Sequence, residues 1–152
     1  MENKIREITA LRVTMEREKL AKDEKSIRII LEALEECGIS YDCITIHIDR
    51  LAIVIKESEQ GKFTGCMELL RLRLGQVNIT IDRDIMLLYI EREMLTCREI
   101  SLIVNSLTME DIEMKMQRFL RCRNRFIIGV SMEEAGRARQ VIGDIITLDY
   151  KI

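Results

Sequence analysis

Apolar residues recur at intervals of three and four along parts of this chain, and at intervals of two along the parts between them. Ile27, Ile30, Leu31 and Leu34 form the stripe of a helix turning every 3.6 residues, with Ile39 just beyond its end. Ile44, Ile46 and Ile48 then alternate with Thr45, His47 and Asp49. After a tight link, Leu51, Ile53 and Ile55 alternate with Ala52, Val54 and Lys56, which predicts a β-hairpin. A second amphipathic helix follows, with Phe63, Cys66, Met67, Leu70 and Leu74 on its buried side, and then a strand carrying Val77, Ile79 and Ile81. Leu11, Val13 and Met15 mark an opening strand, so the predicted order is βαββαβ.

The same order is written twice. Ile27, Ile30, Leu31, Leu34 and Ile39 recur as Ile100, Ile103, Val104, Leu107 and Ile112, each 73 positions later. Met86, Leu88 and Ile90 alternate in a second opening strand, a helix is predicted near residues 97–108, and Met114, Met116, Phe126, Ile128 and Val130 supply a second hairpin. Ala135, Ala138, Ile142 and Ile146 match the second helix of the first copy, and Leu148, Tyr150 and Ile152 predict a closing strand. The reading is α+β: one unit over residues 1–82 and another over 83–152, joined by the short polar link Asp82, Arg83, Asp84. Each unit is expected to be ferredoxin-like, an antiparallel four-stranded sheet with both helices on one face. The opposite face, carrying Ala52, Val54, Tyr89 and Ile127, then needs an internal or intermolecular partner, and a homodimer is favoured.

Composition narrows the function more by exclusion than by assignment. With 47% hydrophobic and 33% charged residues the chain is neither disordered nor membranous. Its longest apolar runs, such as Ile85 to Ile90, are far too short for a bilayer, and its start lacks the basic-then-apolar order of a signal peptide, so a cytoplasmic location is expected. Five cysteines (Cys37, Cys43, Cys66, Cys97 and Cys122) lie scattered without a CxxC, mostly on apolar faces, and read as reduced core residues. The net charge of −2 gives no general attraction to nucleic acid. Arg118, Arg121, Arg123 and Arg125 fall within eight positions, with the last three on one face of an expected strand, and read as a solvated hairpin edge. There is no Walker loop, no GxGxxG and no GxSxG, and one histidine cannot assemble a metal cluster. Glu32, Glu35 and Glu36 read as solvating charges, so neither catalysis nor a cofactor or metal is expected.

Two stretches carry a family resemblance. Leu34 to Ile55, LEECGISYDCITIHIDRLAIVI, resembles the first regulatory repeat of aspartokinases, where a helix end, an Ile-Ser-x-Asp and a hairpin rich in β-branched residues follow one another. IVNSLTMEDIEMKMQRF and RNRFIIGVSMEEAGRARQVI resemble the second repeat. Both repeats are ACT domains, and no counterpart of the family's kinase domain is recognised, so the resemblance implies a regulatory part rather than an enzyme. It further implies a small amino acid as ligand, with lysine favoured as effector, and allosteric control of amino-acid biosynthesis through a kinase catalytic domain or subunit.

The resemblance places the effector against Lys25, Ser26 and Ile27, where a helix N-terminus offers amides to a carboxylate, and against Asp42 as acceptor for the ammonium, with Ser40 and His47 lining the adjoining strand. Local readings of these residues stand beside it. Asp42 could open a strand and bond its own turn, Asp23 with Ser26 could cap the helix, and His47 could sit exposed near Thr45. The family's loop glycine is Lys25 here, and the chain contains no proline. The alternative function is a degenerate ACT pair that joins chains without any ligand.

Overall fold

The computed structural model describes residues 4–148. The strands are β1 (Lys4–Glu16), β2 (Tyr41–Ile46), β3 (Arg50–Lys56), β4 (Asn78–Glu91), β5 (Met116–Leu120) and β6 (Arg125–Val130). The helices are α1 (Glu24–Glu36), α2 (Gln60–Leu74), α3 (Cys97–Met109) and α4 (Ala135–Leu148). The strands form an antiparallel sheet in the order β2-β3-β1-β4-β6-β5. Leu11, Val13 and Met15 of β1 stand opposite Ile55, Ile53 and Leu51 of β3, and Leu88 and Ile90 of β4 stand opposite Ile128 and Phe126 of β6. One residue of slip would turn each of these sets to the other face, so the alternation fixes the register.

The chain divides into two compact units, Ala10–Arg83 and Asp84–Ile152, and the second also takes Met1–Thr9. The division expected from sequence had left those first nine residues with the first unit. A second difference concerns the link. Asp82, Arg83 and Asp84 form no turn but lie within the single 14-residue strand β4. The two carboxylates find partners instead: Arg12 lies 3.5 Å from Asp82, and Lys115 lies 3.8 Å from Asp84. Of the expected closing strand, Leu148 is the last residue of α4, while Tyr150 and Ile152 lie outside the described residues.

Each unit has its own core. Leu11, Val13, Met15, Ile30, Leu34, Ile53, Ile55, Phe63, Cys66 and Leu70 fill the first. Leu88, Ile90, Ile103, Leu107, Phe126, Ile128, Ala138 and Ile142 fill the second. Val54, Tyr89 and Ile127, expected to be covered by an internal or intermolecular partner, are 3%, 3% and 2% exposed in the single chain, and only Ala52 stays half-buried. They therefore supply no open apolar face. Arg121 and Arg123 occupy a 3-10 turn ahead of β6, so they do not share a strand face with Arg125. Of the five cysteines only Cys66 is buried, Cys37 and Cys43 are partly exposed, and Cys97 and Cys122 are exposed.

The duplication is visible in backbone detail. Gly38 after α1 and Asp111 after α3, 73 positions apart, both adopt the left-handed conformation, with φ of 65° and 56°. Ile39 N–H donates to the Leu34 carbonyl and Ile112 N–H to the Leu107 carbonyl, each at 3.0 Å. This is the Schellman closure, in which a residue free of Cβ crowding reverses the chain and the next apolar residue folds back on the helix. Asp111 adopts this conformation with a Cβ that glycine lacks. Asp111→Gly is expected to raise unfolding stability by about 0.5–1 kcal/mol, read as a higher urea midpoint at unchanged slope.

Candidate effector site

The site begins where β1 ends. Two residues past the last buried strand residue, Met15, Arg17 turns its guanidinium toward the first turn of α1. Its Nη2 donates to Ser26 Oγ at 2.5 Å and its Nη1 to the Leu74 carbonyl at 3.0 Å. Ser26 is 4% exposed, and its hydroxyl donates to Asp23 Oδ2 at 2.7 Å. Asp23 is the N-cap of α1 and lies 3.6 Å from Arg17. The Ser26 hydroxyl, then the nearby Ser26 and Lys25 amides and the Arg17 charge, hold the Asp23 carboxyl below the usual carboxylate range. The anion-favouring end of the helix dipole is thus already occupied by a carboxylate of the chain itself. Lys25 is exposed, and Ile27 is half-buried against the core.

His47 lies at the same end of the unit. It is exposed in the turn between β2 and β3, where its N–H donates to the Arg50 carbonyl at 2.8 Å. That turn is tied to the loop entering α1: Arg17 N–H donates to the Asp49 carbonyl at 3.0 Å, Ala21 N–H to the Ile48 carbonyl at 2.9 Å, and Lys19 N–H to Asp49 Oδ1 at 2.8 Å. An open hollow of about 400 Å³ lies here, lined by Glu16, His47, Ile48, Asp49 and Arg50.

Ser40 and Asp42 lie elsewhere. Ser40 is exposed just past the α1 closure, and Asp42 is half-buried at a bulge between Tyr41 and Cys43. The register carries Tyr41 across Ile55 to Leu11, whereas Ile46 is carried across Leu51 to Met15. The four residue steps from Leu11 to Met15 put about 13 Å between the two levels. The expected set therefore falls into two groups within one unit, Lys25, Ser26, Ile27 and His47 at one end and Ser40 with Asp42 at the other. The sequence reading missed Arg17, because spacing places it just past a strand but does not say what its guanidinium reaches.

The second unit repeats this construction with other residues. Thr96 and Glu99, 73 positions after Asp23 and Ser26, are the N-cap of α3 and the third residue of its first turn. Glu99 N–H donates to Thr96 Oγ1 at 3.2 Å, and Thr96 Oγ1 donates to Glu99 Oε1 at 3.3 Å. Arg92 Nη1 donates to Glu99 Oε2, with the two side chains only 9% and 13% exposed. Asn124, left-handed at φ 47°, steadies the loop by accepting from Leu95 N–H at 3.3 Å and donating to the Glu93 carbonyl at 3.0 Å. Each unit thus sets an arginine after its first strand against the start of its helix.

No family model matches the sequence, and no curated protein matches it significantly. Solved structures do. The regulatory subunit of aspartate kinase from Thermus thermophilus, in its ligand-free form, superposes with a TM-score of 0.77 at 15% identity, over 95% of this chain and 97% of that one. The fold is that of an aspartate kinase regulatory region. Aspartate kinase from Clostridium acetobutylicum, described as an allosteric enzyme, gives a TM-score of 0.76 at 21% identity over 93% of this chain, which spans 34% of that longer one. Escherichia coli aspartokinase III in complex with lysine and aspartate gives 0.62 at 15% identity, over 94% of this chain and 31% of that one. The likeness to aspartate kinase thus extends over almost all of this chain. Among the described residues no helix is long and apolar enough to cross a membrane, and no group of three metal-ligating side chains occurs.

Proposed function

We propose that the chain is a pair of ACT units that binds a small amino acid, with lysine favoured, and passes its occupancy to a kinase catalytic domain or subunit in the cytoplasm. The observation that carries this reading is the near-complete correspondence with an isolated regulatory subunit, 97% of whose length is covered. Lysine is favoured because Asp42 stands in an Ile-Ser-x-Asp like that of lysine-sensitive aspartokinases, and because the Escherichia coli relative of this fold was solved with lysine. Asp42 would take the ammonium, while Lys25 and Ser26 would offer backbone amides to the carboxylate, with Ile27, whose own amide donates to the Asp23 carbonyl, and Ser40 and His47 beside them. Since the two groups lie at opposite ends of one unit, a ligand touching both would join two chains of a homodimer. Binding would then favour one packing of the chains over another, and that preference is the signal.

A second reading, a ligand-free oligomerisation module, draws support from the helix N-termini. Asp23 and Ser26 in one unit, and Thr96 and Glu99 in the other, occupy the groups a ligand carboxylate would need.

A thermal scan against the twenty amino acids separates the two readings. A ligand at one hundred times its dissociation constant adds about 2.7 kcal/mol to the folded state. For a unit of this size that is a rise in Tm of roughly 10 °C or more. The sensing reading expects such a shift with lysine and its loss in Asp42→Ala. Twenty flat responses at millimolar concentration favour the oligomerisation module.

A further inference from the structure

The C-terminal turn of α1 lies along one stripe of α2. Lys62 Nζ donates to the Gly38 carbonyl at 3.5 Å, and Arg73 pairs with Glu36 at 2.9 Å. Cys66 lies between those two ties on α2, four residues after Lys62 and seven before Arg73, spacings that keep all three on one helix face. Cys37, the C-cap residue of α1, lies between Glu36 and Gly38 and packs against the same core. Both cysteines belong to one core cluster where the end of α1 meets α2, and Cys66 is fully buried. The remaining cysteines differ: Cys43 lies 4.0 Å from Thr45 Oγ1, and Cys97 and Cys122 are exposed.

We propose that Cys37 and Cys66 are a disulfide-forming pair whose closure pins the end of α1 to α2. The oxidant is a low-molecular-weight disulfide such as oxidised glutathione. The partly exposed Cys37 loses its proton to solvent, and its thiolate attacks one sulfur of the oxidant. A protein–glutathione bond forms as the glutathione S–S bond breaks, and one glutathione thiolate leaves. Cys66 then loses its proton and attacks the Cys37 sulfur, forming the internal bond and expelling the second glutathione. Two protein thiols are oxidised, and one glutathione disulfide is reduced to two thiols.

In the reduced pair, burial, with Cys37 and Glu36 adding to it, pushes the Cys66 thiol up to about 12; burial still disfavours its thiolate once Cys37 is capped, so the second step accelerates as the pH rises. The crosslink encloses residues 38–65 and shortens the reach of the unfolded chain. It also fixes the lead-in to Ser40 and Asp42, which begins one residue past Cys37.

The test uses the full chain carrying C43S, C97S and C122S, incubated with oxidised glutathione at about pH 9. The expected product has lost both free thiols and the mass of two hydrogens. A non-reduced digest joins the Cys37 and Cys66 peptides, and Tm rises by about 5 °C or more, reversibly with dithiothreitol. A further Cys37→Ser change abolishes the linked peptide. Two thiols still titratable in the folded chain, or Cys37 held as its glutathione adduct with Cys66 free at completion, would overturn the proposal.

Discussion

Arg92→Met is expected to destabilise the fold by about 3 kcal/mol, because removing one partner of a part-buried ion pair leaves the other charge poorly solvated. Arg92 and Glu99 are 9% and 13% exposed, so water reaches neither carboxylate nor guanidinium freely. After the change Glu99 retains the Thr96 hydroxyl, which only partly offsets a full negative charge in a part-buried site. The Arg28 and Glu24 pair on α1 provides the control. Its side chains are 66% and 90% exposed, and Arg28→Met should change stability by no more than about 0.5 kcal/mol. The comparison is made by urea unfolding. With a total stability of roughly 5–15 kcal/mol, the Arg92 variant should show a much lower midpoint, whereas Arg92→Met combined with Glu99→Met should recover most of the loss. A midpoint for Arg92→Met within error of the parent chain would mean that the pair is solvated.

Phe126→Ala is the second large effect, at about 3–5 kcal/mol. Phe126 is 2% exposed in β6 opposite Ile90, and it meets Phe119 edge to face with ring centroids 6.3 Å apart. The truncation removes its apolar burial and the aromatic pairing, and it leaves a cavity among Leu88, Ile103 and Ile128 that the rigid sheet cannot close. Leu72→Ala on α2, where the side chain is 81% exposed, should by contrast be nearly neutral. Equal midpoints for the two variants would place Phe126 outside the core.

The fold was legible wherever periodicity and burial coincide. Ile30, Leu34, Ile103 and Leu107, read from the 73-residue repeat, are all at most 1% exposed. The hairpins follow the alternation, although Ile46 and Ile48 are 50% and 58% exposed, since alternation says which face a residue shares and not whether that face is covered. Asp82, Arg83 and Asp84 read as a link because charge clusters mark loops, whereas here they continue β4, with Asp82 paired to Arg12 and Asp84 to Lys115. The grouping of Met1–Thr9 with Asp84–Ile152 could not be read, since which neighbour a strand joins depends on long-range pairing. The candidate site is read from the sequence only as a set of residue types. Its division into two groups is not, because it rests on the β1, β2 and β3 register.

The account turns on whether one small amino acid engages both groups. A ¹H–¹⁵N correlation spectrum titrated with lysine measures this residue by residue. The account predicts saturable shifts of the Lys25, Ser26 and Ile27 amides together with those of Ser40, Asp42 and His47, at one common midpoint. Unmoved amides at these six positions up to millimolar lysine, or shifts confined to residues 96–99 of the second unit, would contradict it.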